Sequence, residues 1–170
     1  MNTFPLPLTQ LIHENLSVVM MFIYSRRPLA EFRHGKFVGT WKYLDRALFD
    51  IADEKVTKAL IELALFIRHL DDEKKISRVL TAISVRETGA EESKWTFGNA
   101  IDEIGTKTPL TMREVANKIL HSTGFGWDLN AGPGPILICT AHESQKKRAK
   151  WVRAEIEINQ VAAACGLLMS

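Results

Sequence analysis

Apolar residues recur at intervals of three and four through the first part of the chain, which is the spacing of one buried face of an α-helix. A first helix is predicted over residues 9–24, and Pro28 is expected to close that element. The spacing resumes at Trp41, as one bent helix or two consecutive ones. Its most regular part, residues 55–70, has an apolar face wide enough for a central position in the core. Further helices are predicted over residues 74–86 and 95–104.

The clearest local signal lies shortly after these segments. Thr111 and Glu114 have the types and spacing of a capping box, which begins a helix. Leu110 and Val115 stand where a hydrophobic staple would hold the first turn. A short helix is therefore predicted to begin just after Thr111.

The last third of the chain changes from helical to alternating patterns. A glycine-rich passage, residues 124–135, is predicted to be an irregular loop. Residues 136–141 form a β-leaning apolar run, and apolar residues alternate with charged ones over 152–158, which predicts a β-hairpin. A helix through the second segment is the alternative, but it would place Glu155 within an apolar face. We therefore prefer a strand there and a final helix over 159–168.

The composition is that of an ordinary globular domain, with 170 residues, 46% of them hydrophobic and 25% charged. We expect a single domain over residues 1–170 that is mainly α-helical. It would be a compact helical domain, helical over about 9–122, with a small C-terminal β-hairpin and a terminal helix within 136–170. The formal net charge of +2 is too small to indicate a partner by itself.

Targeting signals and cysteines bear on the location. The first eight residues lack the basic and apolar regions of a signal peptide, and the longest apolar run, 18–24, is far shorter than the ~20 residues that span a bilayer. Cys139 and Cys165 have neither metal-ligand nor disulfide-framework spacing, so both are expected to be buried reduced thiols. We expect a cytoplasmic protein that makes no membrane contact.

Three polar side chains, Arg113, Asn117 and His121, recur at every fourth residue of the capped helix and border its apolar face. His can move a proton near neutral pH, Arg can hold a phosphate through two hydrogen bonds, and Asn can orient either one. This row is the candidate catalytic site. The alternative is a structural polar margin, with His121 near the C-terminal helix dipole and Arg113 paired to an acid such as Glu114 or Asp102.

An Arg and a His on one late helix of a small helical domain resemble the HEPN family, which includes metal-independent ribonucleases and catalytically inactive companions. The resemblance covers about residues 41–122 and implies catalytic roles for Arg113 and His121. Family enzymes have roughly four to six residues between the two, whereas seven separate them here, which spaces the Cα atoms about 12 Å apart along a helix. The resemblance also implies a homodimer with the motif in a cleft between subunits.

A second candidate site is a nucleic-acid interface at the turn of the predicted hairpin. Its cations can contact phosphates while Trp151 stacks on a base. The alternative is a solvated turn whose lysines discourage aggregation. A basic connector with Arg26, Arg27 and Arg33 would enlarge the positive surface. The residues of the candidate interface are Lys146, Lys147, Arg148, Lys150, Trp151 and Arg153.

The chain has no phosphate-binding glycine loop, nucleophile elbow or dinucleotide fingerprint, so the sequence does not favour the enzyme classes that depend on these motifs. The acids Asp71 and Asp72 are expected to pair with Arg68 on their own helix, and neither a metal nor a cofactor is expected. The sequence favours an intracellular helical binding or assembly module, a homo-oligomer and not an enzyme. The alternatives are a HEPN-like ribonuclease or phosphate-ester enzyme and a non-catalytic nucleic-acid-binding protein.

Overall fold

A computed structural model describes residues 6–36, 38–76, 78–80, 82, 95–132, 134–143 and 151–169. Its helical elements are α1 (Leu6–Gly35), a 3-10 turn (Gly39–Tyr43), a π-helical turn (Arg46–Asp50), α2 (Ile51–Lys74), α3 (Met112–Leu120) and α4 (Ile158–Met169). Its strands are β1 (Gly98–Ile101), β2 (Lys107–Pro109), β3 (Ser122–Asp128), β4 (Ile136–Ala141) and β5 (Arg153–Glu157).

The five strands form one antiparallel sheet in the order β2-β1-β5-β4-β3. The prediction of a mainly α-helical domain with only a small C-terminal hairpin is therefore wrong. The predicted hairpin exists as β4 and β5, but β3 extends it on one side and β1 on the other. The chain has a mixed α/β fold in which long helices accompany a substantial sheet.

The segment predicted as a helix over 95–104 contains β1 instead. Phe97 and Ala100 have helical spacing, but Gly98 lies between them with φ +118°. A Cβ at Gly98 would lie 1.9 Å from the carbonyl oxygen of Glu155, so only glycine lets β1 approach β5 this closely. Pairing with a strand distant in sequence overrode the helical pattern.

The prediction of an irregular loop over 124–135 is partly wrong as well, because β3 extends to Asp128. The glycines of β3 alternate with Phe125 and Trp127, which are half-buried. The ring of Trp127 lies 5.5 Å from that of Phe22 in α1. Alternation in β3 thus points both aromatic rings toward the core and leaves its glycines on the outer face.

α1 continues through Pro28 to Gly35, beyond the predicted end at residue 24. Proline has no N–H to donate to the carbonyl of Tyr24, four residues earlier. Both residues are exposed, so water can satisfy that carbonyl and the helix tolerates the proline.

The prediction for residues 55–70 is confirmed, since all of them lie within α2. α2 ends at Lys74, and Lys75 adopts a left-handed conformation with φ 55° while its N–H donates to the carbonyl of Asp71 at 2.9 Å. Of the helix predicted over 74–86, Lys74 is the last residue of α2 and Lys75 is not helical. Residues 76, 78–80 and 82 are helical, and residues 77, 81 and 83–86 lie outside the described residues.

Local predictions around α3 and the C-terminus are confirmed. The capping box of Thr111 and Glu114 is formed in both directions. β4 covers the predicted 136–141, and the change from strand to helix falls between Glu157 and Ile158, one residue from the predicted point.

One hydrophobic core joins the helices to the inner face of the sheet. The opposite, outer face of the sheet carries Ile136, Ile138, Glu155 and Glu157, which are only half-buried. Among the helices described, none is long and apolar enough to cross a membrane. The inner-face residues of the strands include Ala100, Leu137, Cys139, Ala154 and Ile156.

Candidate functional site

Arg113 lies in the first turn of α3 and reaches across to the C-terminal end of α2. Its Nη1 donates to Oδ2 of Asp71 at 2.9 Å and also to Asp72. The Asp71 side chain is only 7% exposed, so this carboxylate depends on Arg113 for its compensation. The acids therefore pair between two helices, and not with Arg68 on their own helix as predicted.

The same ion pairs offset two unfavourable interactions between charged side chains and helix dipoles. A cation near the N-terminus of α3 and anions near the C-terminus of α2 are each disfavoured alone, and pairing them offsets both. The hydrogen bond from Arg113 lowers the pKa of Asp72 against partial desolvation, which raises it. In return, hydrogen bonds to Asp72 and Asp71 raise the pKa of Arg113. The guanidinium is thus engaged in joining α3 to α2.

Asn117 and His121, the other two residues of the candidate catalytic row, do not converge with Arg113 on one site. His121 is exposed at the C-cap of α3, and its backbone N–H donates to the carbonyl of Asn117 at 3.0 Å. Asn117 is half-buried one turn earlier. Eight residues of helix place Arg113 about 12 Å from His121, and its guanidinium is turned to α2. The structure brings Asn117 and His121 together as neighbours on α3 but leaves Arg113 with the acids.

The candidate nucleic-acid interface divides between described and undescribed residues. Lys146, Lys147, Arg148 and Lys150 lie outside the described residues. Trp151 is 3% exposed, and the Lys118 ammonium covers its ring at 4.5 Å from the centroid. Burial lowers the pKa of Lys118, against the raising effect of Glu114. Trp151 therefore serves the core, and its ring is not available to stack on a base.

Arg153 is exposed on β5 and forms an ion pair with Glu155 two residues later. The basic connector is likewise compensated within the chain. Arg26 pairs with Asp53 at 3.0 Å, and Arg33 pairs with Asp45.

Phe49 explains why these arginines lie together. The guanidinium carbon of Arg26 lies 4.9 Å from the Phe49 ring centroid, and that of Arg33 lies 4.7 Å from it. The connector cations therefore fasten the end of α1 to the start of α2.

Both cysteines are buried, as predicted, and neither forms a disulfide. Burial raises the pKa of Cys139 and of Cys165 to about 12. A thiol with that pKa is almost fully protonated near neutral pH and is a poor nucleophile. Cysteine chemistry is thus not part of the site.

The outer face of the sheet holds a cleft of about 270 Å³ that sequence reasoning missed. Carboxylates dominate its polar lining, and Glu155 lies 4.0 Å from Lys107. In the described part of the chain, no group of three or more His, Cys, Asp or Glu side chains is arranged to hold a metal ion. The cleft was missed because β1 and β3 were not predicted as strands. It is lined by Gly98, Asn99, Asp128, Ala131, Ile136, Ile138, Glu155 and Glu157.

A second surface was also missed, on the solvent side of α1. Seven residues at alternating steps of three and four are all exposed, and we call them the α1 stripe. Met21, one of its apolar members, is 70% accessible. The seven-residue repeat is visible in the sequence, but only the structure shows that it faces away from the core. The α1 stripe consists of Leu11, Glu14, Val18, Met21, Ser25, Pro28 and Phe32.

The arrangement around α3 offers no completed set of nucleophile, base and phosphate clamp among the described residues, whereas the α1 stripe is an extended exposed surface. No protein-family model, curated protein or solved structure matches this chain. The resemblance to the HEPN family therefore stays a prediction.

Proposed function

We propose that this protein is a non-catalytic assembly module that associates with a second copy through the α1 stripe. The observation that carries the proposal is the exposure of all seven stripe positions. Apolar side chains repeating every three and four residues on one exposed helix face are what a partner helix packs against. A cytoplasmic location belongs to the same proposal, supported by the two free thiols.

The pattern of the stripe favours a second copy as the occupant. In an antiparallel pair of α1 helices, Val18 of one copy faces Met21 of the other, and Leu11 faces Pro28. The two polar members also face each other, since Glu14 falls opposite Ser25. Apolar positions thus meet apolar ones and polar meet polar, which is the self-complementarity a two-fold interface requires.

A parallel pair is disfavoured by the same residues. It would place Glu14 directly against Glu14 of the second copy, and like charges at facing positions repel. The 30 residues of α1 give a seam about 45 Å long, which is enough for several turns of contact. We therefore propose antiparallel pairing.

Sedimentation velocity across a concentration series tests this proposal. Met21→Lys places a charge against Val18 of the second copy and is expected to lower the weight-average mass relative to the wild type. Ile104→Lys is the matched control, because Ile104 is an apolar residue that is 88% exposed at the turn between β1 and β2. Circular dichroism confirms that both variants are folded.

The expected result is a lower weight-average mass for Met21→Lys, with the contact through the α1 stripe lost, and an unchanged mass for Ile104→Lys. A wild-type protein that stays monomeric at the highest concentration contradicts the proposal. Equal masses for wild type and a folded Met21→Lys variant would show that the stripe is not the interface.

A further inference from the structure

Among the described residues, β3 is an edge strand and no other segment pairs with its outer side. It pairs with β4 alone, and its seven residues make no other backbone hydrogen bond to the described part of the chain. The opposite edge is protected, since β2 has three residues and contains Lys107 and Pro109. Short length, lysine and proline are features that keep an edge from pairing with another strand, and β3 has none of them.

The orientation of β3 shows which of its residues direct their backbone N–H and C=O groups away from β4. The Thr123 hydroxyl donates to the carbonyl of Thr140 at 3.3 Å, so Thr140 directs its backbone groups toward β3. Its register partner Gly124 therefore directs its own groups toward β4, and alternation does the same for Gly126. Phe125 and Trp127 are left with N–H and C=O groups directed outward.

Contacts with the described residues give no reason for glycine at positions 124 and 126. A Cβ at Gly124 would meet no atom of the described residues within 4 Å, and one at Gly126 would make an ordinary contact of 3.7 Å with Ile138. Neither glycine has a positive φ, unlike Gly98, whose absent side chain the sheet needs. Glycine weakens a strand interior, and it is used where another backbone approaches closely.

We propose that β3 pairs in antiparallel fashion with β3 of a second copy, about a two-fold axis at Gly126. Phe125 then lies opposite Trp127 of the other copy, and each such pair exchanges both of its outward hydrogen bonds. Gly126 faces Gly126 across the axis as a non-hydrogen-bonded pair, the closest backbone approach in an antiparallel ladder, about 4.5 Å between Cα atoms. The two five-stranded sheets become one continuous sheet.

Side chains match in the same register. Phe125 and Trp127 lie on the inner face of β3, so each Phe125 ring meets a Trp127 ring of the second copy as a cross-strand aromatic pair. Gly124 falls opposite Asp128, whose side chain is exposed. This interface uses no residue of the α1 stripe and goes beyond the function proposed above.

Cysteine crosslinking of the full chain tests the register. Gly126→Cys places two thiols at a Cα separation of about 4.5 Å, within the roughly 4.4–6.8 Å that a disulfide requires. In the matched variant Gly124→Cys the two thiols are four residues out of register, roughly 13 Å apart. The native Cys139 and Cys165 are buried and protonated, so they do not compete.

Under mild oxidation, Gly126→Cys is expected to give a dimer as its main band on a non-reducing gel, and Gly124→Cys only traces. Equal crosslinking of both variants, or none in a folded Gly126→Cys variant, would overturn the proposal. The same gel in a Met21→Lys background keeps the outcome independent of the α1 stripe.

A matched pair of lysine substitutions provides a second readout. Gly126→Lys opposes two like charges across the axis and is expected to weaken dimerisation, measured by sedimentation in the Met21→Lys background. Gly124→Lys places the same side chain against Asp128 of the second copy and is expected to preserve or strengthen it. The opposite ranking of the two variants would contradict the proposed register.

Discussion

Arg113 shows how a side chain with catalytic potential can have a structural role. The sequence places it in a row with Asn117 and His121, where it resembles a phosphate clamp. In the folded chain its guanidinium compensates the buried Asp71, which forms no other ion pair with a cation of the described residues. If this arginine turned away to bind a phosphate, the buried carboxylate would be left as an unpaired charge, which is energetically costly.

Arg113→Met is therefore expected to destabilise the protein, because it leaves the Asp71 carboxylate buried and uncompensated. The urea midpoint of unfolding should fall clearly below that of wild type. Adding Asp71→Asn should restore part of the loss, since the unpaired charge is then gone. Arg27→Met is the control, and its exposed pair with Glu31 should change stability by no more than about 0.5 kcal/mol.

His121 tests the enzymatic alternative directly. The proposed assembly function predicts that neither wild type nor His121→Ala degrades a mixture of RNAs, measured on a denaturing gel. If both degrade the RNA equally, a contaminating nuclease is the source, because His121 is the proton-transfer candidate. RNA cleavage by wild type that disappears in a folded His121→Ala variant would contradict the non-catalytic assignment.

At the scale of elements, the junction of α2 and α3 depends on charges that are distant in sequence. Asp72 is at the end of α2, and Arg113 is at the start of α3. The capping box of Thr111 and Glu114 fixes where α3 begins and thereby aims Arg113 at α2. A local signal thus positions a side chain whose partners no local signal identifies.

The lowered pKa of Asp72 gives this junction a pH dependence. Because the unfolded chain binds a proton at higher pH than the folded one, the contribution of Asp72 is present above its unfolded pKa of about 3.9 and is lost as pH falls through the folded pKa. Asp72→Asn should therefore lose less stability than wild type between about pH 5 and pH 2. Urea unfolding at a series of pH values measures this. An identical loss in both proteins would exclude a contribution from Asp72.

At the scale of the whole molecule, the two proposed interfaces lie on different layers, one on α1 and one at the edge of the sheet. A single two-fold interface gives a dimer, whereas two different ones give a tetramer or a longer chain of copies. Assembly beyond the dimer would then be a property of the fold and not of any one element.

Combining the variants tests this expectation. Met21→Lys and Gly126→Lys should each reduce the assembly to dimers, and the double variant should be monomeric, measured as mass by sedimentation velocity. A double variant that keeps the wild-type mass would mean that neither surface mediates assembly. A monomer in either single variant would assign assembly to that surface alone.

Elements that depend on short-range patterns were predictable from the sequence. The capping box, the regular helix within α2, the hairpin of β4 and β5 and the start of α4 depend on residues two to four positions apart. Such neighbours contact each other in any fold that contains the element. The positions of Arg113, Asn117 and His121 along one side of α3 were also predictable from this spacing, but the contacts that their side chains make were not.

The tertiary structure alone decided the features that join distant residues. Gly98 belongs to a strand because β5 passes beside it, and Arg113 pairs with Asp71 because α2 ends there. The burial of Trp151 and the open edge of β3 likewise depend on what lies next to them in space. The sequence by itself determined where α3, α4 and two strands begin, because those choices are local. Packing between elements decided which side chains remain available for a partner, because only the side chains that this packing leaves exposed can contact one.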